Sequence, residues 1–325
     1  MAFSLATFNV KDLLDPVPRP GEQSALRERE ALDAKLDWLA EMIVRMDVDV
    51  LGLQEIGSAA VLAELCDRLA RRGAGTYGER VVGTGDDRGI RNALIARVPV
   101  EASAVHAPRS LDFPVFQAGD PPPFGDRVPM RRGIVHASVD AGALGRIDVL
   151  VAHLKSRRRL FLRAAPGTAL PAPLAPTARE LAEAELRSLV WRCSEALFVR
   201  GLVDDLVVKD PGAQVAVVGD LNDSPGSLVL RIVTGVPELG SGADLVPEER
   251  RFSILHRGRR DLFDHVLLTG SLYARVTGAH LYNEALRDHG EPAAPGAAPD
   301  DIGDPAAPPP PTPDSDHAPL VVRFG

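Results

Sequence analysis

The chain has 325 residues, of which 45% are hydrophobic, 25% charged and 5% aromatic, and its formal net charge is −8. This length and apolar content allow a large core, in one α/β domain or in two domains. The acidic balance excludes a basic coat that binds nucleic acid nonspecifically, so any contact with a polyanion depends on local basic clusters. Cys66 and Cys193 have no zinc-binding spacing and form no disulfide framework, so both are expected to be buried thiols.

The N-terminal segment carries no recognisable targeting signal. It lacks a basic start and continues directly into a strand pattern, and the chain has no apolar run long enough to span a membrane. The expectation is a cytoplasmic protein that makes no membrane contact. No feature indicates an obligate protein partner, which favours a monomer.

Two strand patterns near the N-terminus each end in a polar side chain. Phe3–Val10 is typical of a strand and has Asn9 next to its last residue. Asp49–Glu55 is typical of a second strand and ends at Glu55. A carboxylate at the end of a core strand is costly when it is buried and unpaired, and a metal ion or another cation would remove that cost. The alternatives are structural: Asn9 as a turn former, and Glu55 as an exposed residue before a capped helix.

Two stretches have the pattern of helices that cover a sheet. Leu32–Met46 repeats apolar residues at steps of three and four, and Thr177–Asp210 begins with a Thr–Glu capping box and ends before a proline. Between them, Arg131–Val139 alternates in the manner of a strand, and His136 within it is interpreted as a packed histidine.

Two more strands end near polar groups. Arg91–Val98 has Asn92 as its second residue, which is a candidate phosphate contact or a plain strand-entry residue. Arg146–Leu154 ends at His153, directly before the basic run Lys155–Arg163, which has five basic residues and no acidic one. A charge run is usually a solvated face, but its position after a histidine at a strand end favours a loop that faces an anion.

The most informative stretch is Val215–Ser227, with the sequence VAVVGDLNDSPGS. A buried strand feeds a polar turn here, which holds short side chains at the end of a sheet. Asp220 and Asn222 are two residues apart, so an extended backbone would point both to the same side. A carboxylate beside an amide suits a water, a metal ion or a phosphate oxygen, whereas an ordinary strand-end turn is the structural alternative.

The C-terminal part supplies the remaining polar candidates. Phe263–Leu268 is typical of a strand that carries Asp264 and His265, and at most one of these two faces a common site because neighbours on a strand point to opposite faces. Asp316 and His317 lie in a polar loop before the last strand.

Polar residues therefore recur at junctions between loops and strands. The set consists of Asn9, Glu55, Asn92, His153, Asp220, Asn222, Asp264, Asp316 and His317. Carboxylate and amide oxygens suit Mg²⁺ or Mn²⁺ rather than Zn²⁺, which would require cysteines or clustered histidines. A divalent ion held by carboxylates beside two histidines suits the attack of water on a phosphodiester.

Seven short motifs in order along the chain resemble those of the endonuclease/exonuclease/phosphatase superfamily: ATFNV, GLQE, RNALIAR, VAHLKS, GDLND, DLFDHVLL and SDHAPL. That group includes pancreatic-type deoxyribonucleases, exonuclease III-type repair nucleases, neutral sphingomyelinases and inositol-polyphosphate 5-phosphatases. GDLN or SDH alone would be a common accident, but seven motifs in the family's order, from Phe3 to Phe324, are specific.

The resemblance implies a four-layer α/β sandwich, in which two mixed β-sheets pack face to face with helices outside, as in deoxyribonuclease I. Residues 1–325 are then expected to form a single domain. A stretch rich in proline, alanine and aspartate at about 288–314 is expected to be a flexible insertion.

The resemblance also implies a metal site and a catalytic group. Glu55 is similar to the family's principal metal carboxylate, with Asn9 and Asp316 near the same Mg²⁺ or Mn²⁺ ion. His317 would be the general base or orient the phosphate, held by Asp264 in a carboxylate–imidazole pair. The resemblance leaves open whether this histidine or the first aspartate of the GDLND motif activates the attacking water.

The other implied roles concern the water and the phosphate. Asp220 would position or deprotonate the attacking water, and Asn222 would bind a phosphate oxygen. His153 would stabilise charge on the pentavalent phosphorus centre or assist the leaving oxygen. Asn92 and two arginines of the basic loop, Arg157 and Arg158, would contact phosphates.

The resulting hypothesis is a metal-dependent phosphodiesterase, most simply a nuclease on DNA or RNA. The alternative is a phosphatase or phosphodiesterase on a small-molecule or lipid phosphate. The basic stretches Lys155–Arg163 and Arg257–Arg260 favour an extended nucleic-acid substrate. The low aromatic content argues against abasic-site repair, and the lack of a hydrophobic hairpin argues against a sphingomyelinase. A non-catalytic binding module is a third hypothesis, which nothing supports because every polar position that the chemistry needs is filled.

Overall fold

The computed structural model describes residues 3–16, 22–114, 128–161, 176–235, 239–288 and 314–325. Residues 289–313, the body of the predicted insertion, lie outside the described residues, as does Arg163 of the basic run. Strands and helices are numbered below in chain order.

Two six-stranded sheets and one small hairpin make up the β-structure of the described residues. In the order of neighbouring strands, sheet A contains β13 (Val276–Leu281), β14 (Leu320–Phe324), β1 (Phe3–Leu13), β2 (Val50–Ile56), β4 (Arg91–Ala96) and β3 (Glu79–Val82). Sheet B contains β5 (Val100–His106), β6 (Ile134–Asp140), β7 (Arg146–His153), β8 (Val215–Asp220), β12 (Asp264–Leu268) and β9 (Gly240–Ser241). The hairpin consists of β10 (Ile254–His256) and β11 (Arg259–Asp261).

Both sheets are mixed. In sheet A, β1 and β2 pair in parallel, and in sheet B, β7 and β8 do the same. The other pairings between the named strands are antiparallel.

The α-helices of the described residues are α1 (Glu22–Met46), α2 (Ala59–Arg71), α3 (Ala178–Lys209), α4 (Leu228–Thr234) and α5 (Gly270–Tyr273). Four of these five helices, α1 to α4, lie on the outer faces of the sheets, whereas Leu272 of the short α5 packs in the layer between the two sheets. The side chain of Thr177 accepts a hydrogen bond from the backbone N–H of Glu180, so the predicted capping box begins α3 as expected. Within the described ranges, no helix combines the length and the apolar character that a membrane crossing requires.

Three apolar layers hold the sheets and helices together. Leu5, Val218, Val266 and Val322 belong to the layer between the two sheets. A second layer packs α1 and α2 on sheet A, and a third packs α3 and α4 on sheet B. The predicted four-layer sandwich, with two mixed sheets face to face and helices outside, is therefore confirmed.

The alternation of side chains along the strands aims several polar residues between the sheets. Phe3 and Leu5 face the layer between the sheets, so Asn9 has the same direction; Ala216 and Val218 fix the direction of Asp220 in the same way. The same rule applies to His153, which follows Val149 and Val151, and to Asp264, which precedes Val266 and Leu268.

The structure differs from the sequence predictions mainly at sheet edges. The edge strands β3 and β13 were not predicted, because their residues are half-exposed and show no regular alternation. β6 begins at Ile134 instead of Arg131, so the arginine pair Arg131–Arg132 lies in the loop before the strand. Cys66 and Cys193 are free and buried, as predicted.

Candidate active site

Eight of the predicted site residues form one polar network at one end of the sandwich. They are Asn9, Glu55, His153, Asp220, Asn222, Asp264, Asp316 and His317. Both sheets contribute to this network, which explains why residues more than 300 positions apart in the sequence meet there: the Ser315 hydroxyl donates to the carbonyl of Asn9, 306 positions away, at 2.7 Å.

Asp220 lies at the centre of the network and is 2% exposed. Its Oδ2 accepts a hydrogen bond from the Asn9 amide at 3.0 Å and lies 3.5 Å from Nε2 of His153 and 3.8 Å from Nε2 of His317. Burial raises the pKa of Asp220 to about 7. A carboxylate with such a pKa can accept a proton from water near neutral pH.

His317 and Asp264 form a buried carboxylate–imidazole pair. His317 Nδ1 lies 2.7 Å from Asp264 Oδ2, and Asp264 is directly opposite Asp220 in the register of β12 and β8. Burial opposes a charge on the imidazole, but Asp264 and Asp220 outweigh it and raise the pKa of His317 to about 10. At neutral pH the histidine is therefore an imidazolium, which can bind a phosphate oxygen but has no free lone pair with which to accept a proton.

Glu55 reaches the network through an unusual backbone conformation. Strict alternation along β2 would point it toward the helix layer with Leu51 and Leu53. Its φ of 67° turns the side chain instead toward His153, whose Nε2 lies 4.0 Å from Oε1. Such left-handed conformations are uncommon outside glycine and are found at functional sites. Burial and the nearby Asp12 raise the pKa of Glu55.

The turn after β8 also depends on left-handed residues. Asn222 has a φ of 52°, and its amide donates to the carbonyl of Leu154 at 3.0 Å, which fixes it against the end of β7. Gly219 has a φ of 147°, and a Cβ atom there would lie 1.8 Å from the carbonyl oxygen of Ala152. Only glycine permits this close approach of the two strands.

The predicted metal ligands offer a donor set that fits a hard divalent cation. In the part of the chain that is described, no group of three or more His, Cys, Asp or Glu side chains is placed to hold a metal. The predicted set is different, because it consists of two carboxylates, Glu55 and Asp316, and the amide of Asn9. Lys11 Nζ lies 3.0 Å from Asp316, so this carboxylate already attracts a cation. All three donors are oxygen ligands of the type that Mg²⁺ and Mn²⁺ prefer. When bound there, such an ion would supply positive charge to a phosphate oxygen.

One residue of the site, Arg132, was not predicted from the sequence. It is 3% exposed, its Nη1 lies 2.6 Å from His153 Nε2, and its Nη2 donates to the carbonyl of Leu154. Burial, together with Arg132, lowers the pKa of His153 well below its ordinary value. His153 is therefore neutral and offers hydrogen bonds but no charge. The only sequence signal was an arginine pair directly before a strand.

The three predicted phosphate contacts take no part in the described hydrogen bonds of this network. Asn92 is fully buried and donates to a backbone carbonyl at 3.0 Å. Arg157 donates to Asp223 at 2.6 Å, and its guanidinium lies over the ring of Phe263 at 4.6 Å. Arg158 is exposed. Their roles stay predictions.

Comparisons with known proteins identify the family and the fold. A model of the endonuclease/exonuclease/phosphatase family matches residues 6–317. A search of curated protein sequences found no match. Truncated TDP2 from Caenorhabditis elegans is a similar solved structure, with 16% identity, coverage of 99% of this chain and 97% of that chain, and a TM-score of 0.58.

Two bacterial structures are similar as well. One is an endonuclease/exonuclease/phosphatase protein from Beutenbergia cavernae, with 18% identity, coverage of 100% of this chain and 72% of that chain, and a TM-score of 0.55. The other is a mannosyl-6-phosphatase from Bacteroides thetaiotaomicron, with 14% identity, coverage of 98% of each chain and a TM-score of 0.57. At these identities the likeness shows the fold. Because the family match spans almost the whole sequence, the chain belongs to the endonuclease/exonuclease/phosphatase family and is a hydrolase of phosphoric esters.

Proposed function

We propose that this protein is a divalent-metal-dependent phosphodiesterase that cleaves nucleic acid. One observation carries the proposal: the basic β10–β11 hairpin is joined to the catalytic histidine. Ile254 of β10 forms a β-bridge with His317. Arg260 on the same hairpin is exposed, as is Arg259, whose Nε also pairs with Asp261 at 2.9 Å. Exposed guanidinium groups beside a phosphoesterase centre suit the phosphates that flank a scissile bond in a polynucleotide.

A second basic element lies close to the same centre. The guanidinium of Arg157 covers Phe263, which directly precedes Asp264, and Arg158 next to it is exposed. Arg157 is paired with Asp223, so it is the exposed Arg158 that, together with the hairpin, extends positive charge beyond a single phosphate. Such charge supports a polymeric substrate more than a small one.

The roles of the central residues follow from their protonation and geometry. Asp220 accepts a proton from the attacking water. As it does so, the oxygen of that water bonds to phosphorus, and the bond between phosphorus and the leaving oxygen breaks. His317, as an imidazolium fixed by Asp264, donates a hydrogen bond to a phosphate oxygen. Asn222, anchored to the end of β7, supplies a further polar contact to the phosphate. The pKa of about 7 for Asp220 and of about 10 for His317 support this division of roles.

A small-molecule phosphoric ester is the second candidate substrate. Part of the basic run is used within the protein: Lys155 is 3% exposed and donates to backbone carbonyls of its own loop, and Arg159 pairs with Glu185 at 2.7 Å. The net charge of −8 also disfavours a long polyanion. A solved structure of this fold is a mannosyl-6-phosphatase, which illustrates the type of substrate.

The test compares substrates that differ in length. The protein is incubated with supercoiled plasmid, a single-stranded oligonucleotide and bis-p-nitrophenyl phosphate, each with Mg²⁺, Mn²⁺ or EDTA. Metal-dependent cleavage of nucleic acid that is lost in His317→Ala is the expected result. Cleavage of the small diester alone, by the wild type, would instead favour the second candidate.

Variants of the hairpin sharpen this test. Arg259→Ser with Arg260→Ser should lower kcat/KM on the oligonucleotide about tenfold and leave the small diester unaffected. Arg71→Ser with Arg179→Ser removes the same charge from exposed positions on α2 and α3 and serves as the matched control. Equal losses on both substrates, or equal losses in the control, would contradict a role of the hairpin in binding nucleic acid.

A further inference from the structure

Helix α3 presents a buried stripe of polar side chains to the loop that follows β7. Ser188, Arg192 and Glu195 are four and three positions apart, so they share one face of the helix, and each is at most 5% exposed. The Ser188 hydroxyl donates to the carbonyl of Ser156 at 2.9 Å, and Arg192 donates to the carbonyl of Lys155 at 3.3 Å. Polar groups are costly to bury unless they are hydrogen-bonded, and the backbone of this loop supplies the partners.

Glu195 is the acidic member of this polar stripe and is fully buried. Its Oε2 accepts a hydrogen bond from the backbone N–H of Lys155 at 2.5 Å. Burial raises the pKa of Glu195, but the carboxyl group keeps an oxygen that can accept this bond whether or not it is protonated.

The bond from Glu195 acts on a single peptide group, which joins Leu154 to Lys155. A peptide group is planar, so its N–H and its carbonyl oxygen turn together. The carbonyl oxygen of Leu154 accepts hydrogen bonds from Nη2 of Arg132 and from the side-chain amide of Asn222, both at 3.0 Å. Glu195 therefore fixes, from the opposite side of this peptide, the acceptor that anchors two residues of the candidate active site.

The two anchored residues contact the centre of the site. Nη1 of Arg132 lies 2.6 Å from Nε2 of His153, and the backbone N–H of Asn222 donates to Asp220 at 2.9 Å. A rotation of the peptide would move a guanidinium and an amide relative to these two groups. Because a displacement of about 1 Å in an active site can cost about 10²-fold in rate, the orientation of this peptide matters for activity.

We propose that Glu195 is a positioning residue of the phosphoesterase site, which holds Arg132 and Asn222 in place through the peptide that joins Leu154 to Lys155. It acts through these two residues and not on the substrate itself. The inference rests on the proposed function only for the role of Asn222 as a phosphate contact, and it applies equally to a polymeric and to a small ester. None of the seven sequence motifs contains Glu195.

The kinetic test uses the ester that the wild type cleaves fastest. Glu195→Met keeps the approximate size of the side chain but removes the acceptor, so it should lower kcat/KM about 10- to 100-fold. Glu195→Gln keeps an oxygen with the same reach and should retain at least about one third of the wild-type value. Similar losses in the two variants, or no loss in Glu195→Met, would overturn the proposal.

The control is Arg200→Met, which removes another buried polar side chain from the same helix. Arg200 is 8% exposed and donates to the carbonyl of Thr234 at the end of α4. This variant should lower Tm but change kcat/KM by less than about twofold. If it lost as much activity as Glu195→Met, any damage to α3 would reduce activity, and the specific role of Glu195 would be overturned.

A double-mutant cycle shows whether Glu195 acts through Asn222. A positioning residue loses part of its effect once a group that it positions has been removed, so the two substitutions should not be additive. In the background of Asn222→Ala, the loss of kcat/KM caused by Glu195→Met should be at least about threefold smaller than in the wild type. Equal losses in both backgrounds would mean that the two residues act independently and would contradict the proposal.

NMR spectroscopy separates failure of this proposal from failure of the proposed function. The side-chain amide signals of Asn222 are assigned in the ¹⁵N-labelled protein by their loss in Asn222→Ala, so no hydrolysis is needed. They should shift in Glu195→Met and stay in place in Glu195→Gln and Arg200→Met. If the wild type cleaves no nucleic acid, the proposed function fails, while these signals and the kinetics on the small diester still decide the role of Glu195. Unmoved signals in Glu195→Met would overturn the inference.

Discussion

Among the described residues, two histidine–aspartate pairs have nearly equal geometry. His317 Nδ1 lies 2.7 Å from Asp264, and His136 Nε2 lies 2.9 Å from Asp148. Both aspartates are buried and both belong to strands of sheet B. The distance within the pair therefore does not distinguish a catalytic pair from a structural one.

The two pairs differ in what their remaining atoms face. Asp148 also accepts hydrogen bonds from Ser138 at 2.5 Å and Arg146 at 3.1 Å, and the second nitrogen of His136 faces another histidine, His106, at 3.5 Å. This pair lies on the outer face of sheet B, and its charge is used locally. The second nitrogen of the other histidine, His317, faces a second carboxylate in the space between the sheets. The two pairs therefore differ in what the second ring nitrogen faces, which is another carboxylate of the candidate active site in only one of them.

The largest expected effect is on the histidines themselves. His317→Gln should lower kcat/KM for the preferred diester by about 10²- to 10⁴-fold, because it removes the imidazolium beside Asp220. His136→Gln should change it by less than about twofold, since its partners are all on the outer face. Steady-state kinetics with Mg²⁺ or Mn²⁺ measures both. Similar losses in the two variants would show that the comparison does not identify the catalytic pair.

Substitution of the two aspartates should also give different activities, but the difference in kcat/KM should be smaller than for the histidines. Asp264→Asn keeps the shape of the side chain but removes the charge that orients His317, and we expect kcat/KM to fall about 10- to 100-fold. Asp148→Asn should leave kcat/KM unchanged. Circular dichroism of each variant checks that the fold is intact. An Asp264→Asn enzyme with full activity would contradict the role of this carboxylate in fixing the imidazole.

Strand periodicity predicted much of this site from the sequence. Asn9, Asp220 and Asp264 end or begin strands whose apolar residues face the second sheet, so a period of two fixes their direction. The same rule predicts that Asp264 and His265 diverge, and His265 instead contacts the carbonyl of Asp223 on the other face. Local pattern was sufficient wherever the backbone stayed regular.

The rule fails where the backbone leaves the extended region. Glu55 and Asn222 reach the site through φ values of 67° and 52°, and nothing in their own side chains announces this conformation. Arg132 depends on a loop that crosses to His153, 21 positions away, and such contacts have no local signature. Glu55 and Asn222 were singled out as polar residues at strand ends, and the motif resemblance then assigned their roles. Neither argument extended to Arg132.

The smallest expected effect is on stability, and it concerns the pair on the outer face of sheet B. Burial opposes the ionisation of Asp148, yet hydrogen bonds from His136, Ser138 and Arg146 lower its pKa to about 2. The value in an unfolded chain is about 3.9, so the carboxylate stabilises the folded state fully above about pH 4 and loses this contribution as the pH falls toward 2. Because Arg146 is half exposed, we expect Asp148→Asn to cost about 1 to 2 kcal/mol in the free energy of unfolding at pH 7.

Urea unfolding of the wild type and Asp148→Asn at pH 7, 5, 4 and 3 measures this difference. The gap in the free energy of unfolding should stay constant from pH 7 to about 5 and shrink below about pH 4. Asp140→Asn, at the exposed end of β6, is the matched control and should differ little from the wild type at any pH. A gap that does not change with pH would mean that the Asp148 site contributes through packing. The outer pair would then differ from the catalytic pair in having no electrostatic role at all.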